Sequence, residues 1–239
     1  MEAICKNCES KIEGNYCNHC GQRTAIDKVS FKETFQDLAN AFFSVDAPFY
    51  LTFKELFLNP GKLFRAFLEG KRKTYYKPVS FFVLTMIVYL LTRSLINYDP
   101  MTTAGVKVDG HILAKAGKYM VKNINNIMFV FVFSLGVFLK AFFYKKYSLA
   151  EYTAIAFYLI GVYTIFGTIT MFYLKYKGPN YKVVPMILFL MYLIYALISF
   201  FQKNKIVVLI KTIFVFLLSF STYTLLGFFM SLLIVWLRN

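Results

Sequence analysis

Apolar positions follow two regimes along this chain. Up to about residue 77 they recur at helical spacing among charges, whereas beyond it they run on almost unbroken for some twenty residues at a time. Five such runs stand out: Pro78–Ile96, Ile124–Tyr144, Tyr152–Leu174, Val183–Phe201 and Ile206–Leu237. The first four have the length of about 20 residues needed to cross a hydrocarbon core. The fifth overshoots that length at about 1.5 Å per residue, and no Pro or charged turn divides it. Lys211 near its start predicts a helix that begins in the membrane interface and enters the bilayer around Thr212.

Before these runs, Phe31, Phe35, Leu38 and Phe42 step by three and four residues and share one helical face. Short helices are predicted over Pro48 to Leu58 and over Gly61 to Glu69, separated by Asn59, Pro60 and Gly61 and closed by Gly70. The second puts Leu63, Phe64, Phe67 and Leu68 on an apolar side bordered by Lys62, Arg65, Lys71, Arg72 and Lys73. That pattern predicts an amphipathic helix in the interface plane, aromatics at headgroup depth and cations on lipid phosphates. Tyr75, Tyr76 and Lys77 mark the water boundary of the first run. The expected organisation is a ribbon-like segment over 1–23, interfacial helices with a basic segment over 24–77, and a transmembrane bundle over 78–239.

Composition sharpens this picture. Hydrophobic residues make up 58% of the 239, aromatics 20%, and charged residues 16%, well below the roughly 25% of soluble domains. An all-α polytopic membrane protein of about five transmembrane helices is expected, and a disordered, collagen-like or disulfide-rich secreted chain is excluded. The 27 Lys and Arg against 12 Asp and Glu give a net charge of +15. In a soluble domain that excess points to nucleic acid. Here the cations flank apolar runs, so topogenic charge and attraction to anionic headgroups explain them. The densest basic cluster, Lys62 to Lys77, precedes the first run, and MEAICKNCESKIEG lacks the apolar core of a cleavable signal. The expected location is the bacterial inner membrane, with the N-terminus cytosolic and, for five spans, the C-terminus outside.

The four cysteines all fall in the first twenty residues. Cys5-Lys-Asn-Cys8 and Cys17-Asn-His-Cys20-Gly21 form a C-x2-C-x8-C-x2-C pattern, which brings four thiolates to one tetrahedral Zn2+ site. The arm between the pairs is short and the segment buries no useful core, so structural metal would supply its folding free energy. Gly14 suits a turn between the arms and Gly21 the second knuckle. Disulfides are disfavoured in the cytosol. A three-Cys, one-His site using His19 is the lesser alternative, and redox chemistry at either C-x-x-C lacks a thioredoxin-like context.

The ribbon ending Cys17-Asn-His-Cys20-Gly21-Gln22-Arg23, the stretch Asp46-Ala-Pro-Phe-Tyr-Leu-Thr-Phe-Lys54, and Asn59-Pro-Gly-Lys62 through Gly70-Lys-Arg-Lys73-Thr-Tyr-Tyr-Lys-Pro78 carry a resemblance. Over about residues 1–96 the chain resembles an uncharacterised family of zinc-ribbon, multi-span membrane proteins found mostly in Bacteroidota, which implies no particular activity. In size, span number and basic character it is also similar to the small membrane accessory proteins of type VI-B CRISPR loci. That second likeness implies a role in antiviral defence beside an RNA-guided nuclease.

Catalytic groups are scarce. The last acid is Glu151, the two His are His19 and His111, and no P-loop, H-E-x-x-H or G-x-S-x-G occurs. Arg93, Lys140 and Lys211 near span ends fit snorkelling. Gly161, Thr164, Thr168 and Met171, and likewise Ser221, Thr224, Gly227 and Ser231, follow helical spacing. Such residues serve helix packing or, alternatively, a weakly polar pore wall. The expected function is therefore that of a non-enzymatic membrane adaptor or effector. Its cytosolic ribbon and basic residues Lys62, Arg65, Lys71, Arg72, Lys73 and Lys77 would engage anionic lipid, or a protein or RNA–protein partner, with self-association as a further expectation. The alternative is a channel or transporter for small anions or lipids.

Overall fold

In the computed structural model of the chain, the described residues are 4–12, 14–23, 48–98, 112–144, 146–177 and 183–238. Among them the chain forms eight α-helices, and the only β-pairing is a pair of isolated bridges near the N-terminus. The helices are α1 Pro48–Leu58, α2 Pro60–Leu68, α3 Pro78–Leu95, α4 Ile112–Lys122, α5 Ile124–Phe142, α6 Leu149–Lys177, α7 Val184–Phe201 and α8 Lys205–Leu237. The Phe31-to-Phe42 stretch, His111 and Lys145 lie outside the described residues.

Pro at the first or second position opens α2, α3 and α7, where its missing N–H costs no intrahelical bond. At α6 the opening device is a capping box. Ser148 N–H donates to the Glu151 carboxylate at 2.7 Å, while Glu151 N–H donates to Ser148 Oγ at 3.2 Å. This starts α6 at Leu149, ahead of the expected Tyr152. It also accounts for the last acid of the chain, which serves a helix end.

Four helices, α3, α6, α7 and α8, are long and apolar enough to cross a membrane. Among the described residues a fifth candidate exists only if α4 and the following Ile127–Phe142 count together as one span bent by 83°. The second expected span is thus realised as α5 with a helix before it that hydropathy runs alone did not mark. The signal for α4 was present: Leu113, Ala116 and Met120 recur at helical spacing among Lys115, Lys118 and Lys122. The fifth run forms one unbroken helix of 33 residues, about 50 Å long.

Helix α6 is the hub. It packs against α3, α5 and α7, and positions 150–162 are buried without a break. Helix α8 packs on α4, α5 and α7 and turns Ile206, Ile210, Phe214 and Leu217 outward. Two close approaches set helix spacing. A Cβ on Gly136 of α5 would lie 2.7 Å from Thr153 Oγ1 of α6, and one on Gly161 of α6 would lie 2.7 Å from the Phe81 ring of α3. Aromatic rings fill the remaining space, as where Phe131 stacks on Tyr223 at 5.0 Å.

The apolar side of α2, expected among headgroups, is covered by protein. Leu63 and Phe64 are fully buried, with the Phe64 ring 5.7 Å from Phe200 of α7 and 6.1 Å from Tyr158 of α6. Gly61 sits so close to Ser199 of α7 that a Cβ would collide with the Ser199 backbone. Tyr192 and Tyr195 of α7 donate hydroxyl hydrogen bonds to the last carbonyls of α1, to Leu56 O at 3.1 Å and Leu58 O at 2.6 Å. The α1–α2 hairpin is therefore fastened to the bundle, at the end where α7 finishes.

Candidate metal centre and the basic loop it docks on

The cysteines sit in two knuckles of one construction, repeated twelve positions on. Cys5 N–H donates to Ser10 O at 2.9 Å and Glu9 N–H to Cys5 O at 2.9 Å; Cys17 N–H donates to Gln22 O at 2.8 Å and Gly21 N–H to Cys17 O at 2.8 Å. The flanking bridges correspond too, Ile4 with Lys11 and Tyr16 with Arg23. Each knuckle turns through a left-handed residue after its second cysteine, Glu9 at φ 62° and Gly21 at φ 68°. The glycine expected for the second knuckle meets that demand. Its counterpart Glu9 adopts the same conformation at a cost of about 1–2 kcal/mol.

These turns aim four sulfurs at one point. Cys5 Sγ lies 3.6 Å from Cys20 Sγ and Cys8 Sγ 3.6 Å from Cys17 Sγ, and all four lie within 4.8 Å of one another. Four sulfurs at 2.3 Å from a central ion would have edges of about 3.8 Å, whereas a disulfide needs about 2.05 Å. All four are free thiols, and their arrangement can hold a metal ion. His19 is exposed and stands outside the group.

The thiols are not equivalent. Hydrogen bonds from the Ser10 side chain and backbone hold Cys8 down to about 5, while burial pushes Cys20 up to about 11 against a backbone bond from Gln22. Ser10 and Gln22 are again twelve positions apart. Such backbone N–H···S contacts around the sulfurs stabilise thiolate and orient metal ligands.

Each knuckle also supplies one side chain that fastens the ribbon to the loop between α2 and α3. From the first, Asn7 Oδ1 accepts the Thr74 N–H at 3.0 Å and the Thr74 hydroxyl. From the second, the buried Gln22 donates from Nε2 to Gly70 O at 2.8 Å and accepts the Lys73 N–H at 3.2 Å. Lys71 approaches Glu9 at 4.0 Å. Ribbon and loop thus form one head, a coupling that nothing in the local sequence announces.

The six basic positions singled out from sequence part ways. Lys71, Arg72 and Lys73 lie on the loop held by the ribbon. Lys73 and Lys77 are exposed, and Arg72 is half-buried. Lys62 pairs with Glu55 at 3.1 Å, and that hydrogen bond and charge raise the Lys62 ammonium above its ordinary value. Arg65 turns into the bundle and donates to Ser199 O at 2.6 Å and Phe200 O at 2.9 Å, carbonyls at the C-terminal end of α7 that lack intrahelical partners.

The cations near the ends of the long apolar helices also turn onto backbone carbonyls. Lys140 donates to Tyr144 O at 2.7 Å and Tyr147 O at 2.8 Å, Lys211 donates to Phe142 O at 2.8 Å, and Arg93 reaches Tyr98 O at 3.3 Å. Of these acceptors Phe142 O lies at the negative, C-terminal end of α5, whereas Tyr98 O, Tyr144 O and Tyr147 O belong to the loops after α3 and α5. Among the small and hydroxyl residues of α6 and α8, Gly161 and Gly227 are sites of close packing, while Ser221 is exposed. Thr164, Thr168, Thr224 and Ser231 donate to carbonyls of their own helices, and a Cβ on Gly227 would lie 2.9 Å from Ile127.

A family model described as "Protein of unknown function (DUF3667)" matches residues 46–90. The matched segment spans α1, α2, the basic loop and most of α3, and leaves the cysteine knuckles outside it. No curated protein and no solved structure matches the chain.

Proposed function

We propose that this chain is a non-enzymatic adaptor or effector of the bacterial inner membrane, whose cytosolic head recognises a macromolecular partner. The head consists of a ribbon closed by a structural Zn2+ on Cys5, Cys8, Cys17 and Cys20, together with the basic loop Gly70–Lys77. One observation carries this reading: Asn7 and Gln22 hold the loop backbone against the knuckles. Lys71 and Lys73 are thereby presented from the same body as Lys6 and Arg23, both exposed. Zinc would supply the folding free energy that so small a segment lacks, and the apolar helices would keep the head at the membrane. A partner of negative charge suits the head, either a protein surface or an RNA–protein complex. The version in which the partner is an RNA-guided nuclease of antiviral defence rests on the resemblance in size, span number and basic character. The alternative of an anion or lipid pathway draws less support, because Thr164, Thr168, Thr224 and Ser231 direct their hydroxyls to carbonyls of their own helices.

The test is a triple substitution, Lys71→Gln, Arg72→Gln and Lys73→Gln, in the full chain. Arg65 is spared because it caps α7, and Lys77 because positive charge beside the first span sets orientation. Expected are normal membrane insertion, normal zinc content, and loss of the RNA or protein that co-purifies with the unaltered chain in mild detergent. A nucleic-acid partner would dissociate steeply with salt, since each neutralised phosphate releases counterions. Unchanged co-purification with the triple variant would refute the docking head.

A further inference from the structure

At the end of the bundle where α5 and α7 finish and α8 starts, the helices leave a cavity of about 300 Å³. Its polar wall is Lys146, Lys203 and Lys211, and its apolar wall includes Phe142, Phe143 and Phe201, the last two stacked at 4.0 Å. Among the described residues no carboxylate lines it. The sequence holds no Asp or Glu beyond Glu151, whose carboxylate is engaged by Ser148. Lys211 gives one hydrogen bond to Phe142 O at 2.8 Å and lies over the Phe143 ring at 5.4 Å. An ammonium has three donors, so two remain to be directed at an anion. Val207 and Val208 bring the first turn of α8 to the same wall, the positive end of a long helix dipole. Its cap is in place, with Asn204 accepting the Ile206 N–H at 3.0 Å.

We propose that this cavity binds the phosphate of an anionic glycerophospholipid, with the acyl chains running down the outer face of α8. The inference rests on the bundle being embedded in a membrane. Three ammonium groups without acids select an anion, and the aromatic and aliphatic half of the wall selects one joined to an apolar body. Immediately beside the opening, Ile206 and Ile210 are exposed, in line with the track an acyl chain would follow. The volume is at the small end of ligand pockets, room for a headgroup phosphate with the rest of the lipid outside. Basic pockets between helices on the cytoplasmic side are a recurring way to hold such headgroups.

The experiment titrates the delipidated full chain in detergent with dioleoyl phosphatidylglycerol or dioleoyl phosphatidylcholine and counts bound lipids by native mass spectrometry. The unaltered chain is expected to prefer phosphatidylglycerol by about tenfold or more, given roughly 1 kcal/mol for each basic side chain near an anionic headgroup. Lys146→Gln with Lys203→Gln should abolish the preference, and both spare Lys211 and its bond to α5. Lys115→Gln with Lys118→Gln, an equal charge change on α4 at the other end, should leave it intact. Equal affinity for the two lipids, or equal loss in the α4 variant, would overturn the proposal. So would displacement of phosphatidylglycerol by inorganic phosphate that also binds alone, which would make the site one for free anions. Failure of the membrane reading would show separately, as a chain washed from membranes by carbonate.

Discussion

Replacing Gln22 with Ala removes the second knuckle's hold on the basic loop without touching a thiol. Two hydrogen bonds are lost, to Gly70 O and from the Lys73 N–H, each worth about 1 kcal/mol net. The docked state of the ribbon should weaken by about 2 kcal/mol, close to thirtyfold in the opening equilibrium. The Thr74 amide is the reporter, because its acceptor is Asn7 of the first knuckle and the substitution leaves that bond in place. Single-amide hydrogen exchange on the full chain should show Thr74 exchanging about thirtyfold faster if the ribbon leaves as one body. Zinc content should be unchanged, since Gln22 is not a ligand. A Thr74 amide as protected as in the unaltered chain would show that Gln22 does not hold the ribbon in place. Loss of zinc would show that knuckle and metal site do not fold independently of the loop.

Two further outcomes are expected. Gly61→Ala should lower the Tm in detergent, at a cost of roughly 1–3 kcal/mol for overpacking, because its Cβ would collide with the Ser199 backbone; Gly117→Ala in α4, with nothing within 4 Å, should instead raise stability by about 0.5–1 kcal/mol, so shifts of the same sign would refute the packing argument. Zinc uptake by the apo chain at pH 7 should release a proton from Cys20, held up at about 11, so apparent affinity rises with pH across the neutral range and falls further once Cys8 protonates near 5; titration calorimetry in buffers of different ionisation enthalpy measures that release, and Cys17→Ala with Cys20→Ala should abolish uptake.

What the sequence settled by itself was whatever depends on neighbours along the chain. Run lengths marked the long apolar helices, since a helix satisfies its backbone internally and needs only enough apolar residues. Cysteine spacing marked the knuckles because two cysteines of each lie on one tight turn, and Asn59-Pro60 marked the break between α1 and α2. The Ser148-Leu-Ala-Glu151 capping box was equally legible, and reading it would have placed the start of α6. Tertiary structure decided which apolar phase each face enters and which charges are spent. The face of Leu63, Phe64 and Phe67 reads the same whether it meets acyl chains or Phe200, because lipid and protein interior are about equally apolar. Arg65 reads as a docking cation until Ser199 O and Phe200 O, some 134 residues away, are seen to accept its protons. Gln22 and Asn7 find partners 48 to 67 positions on. A side-chain hydrogen bond across such a gap has no periodicity to betray it, and only the packed chain brings its two ends together.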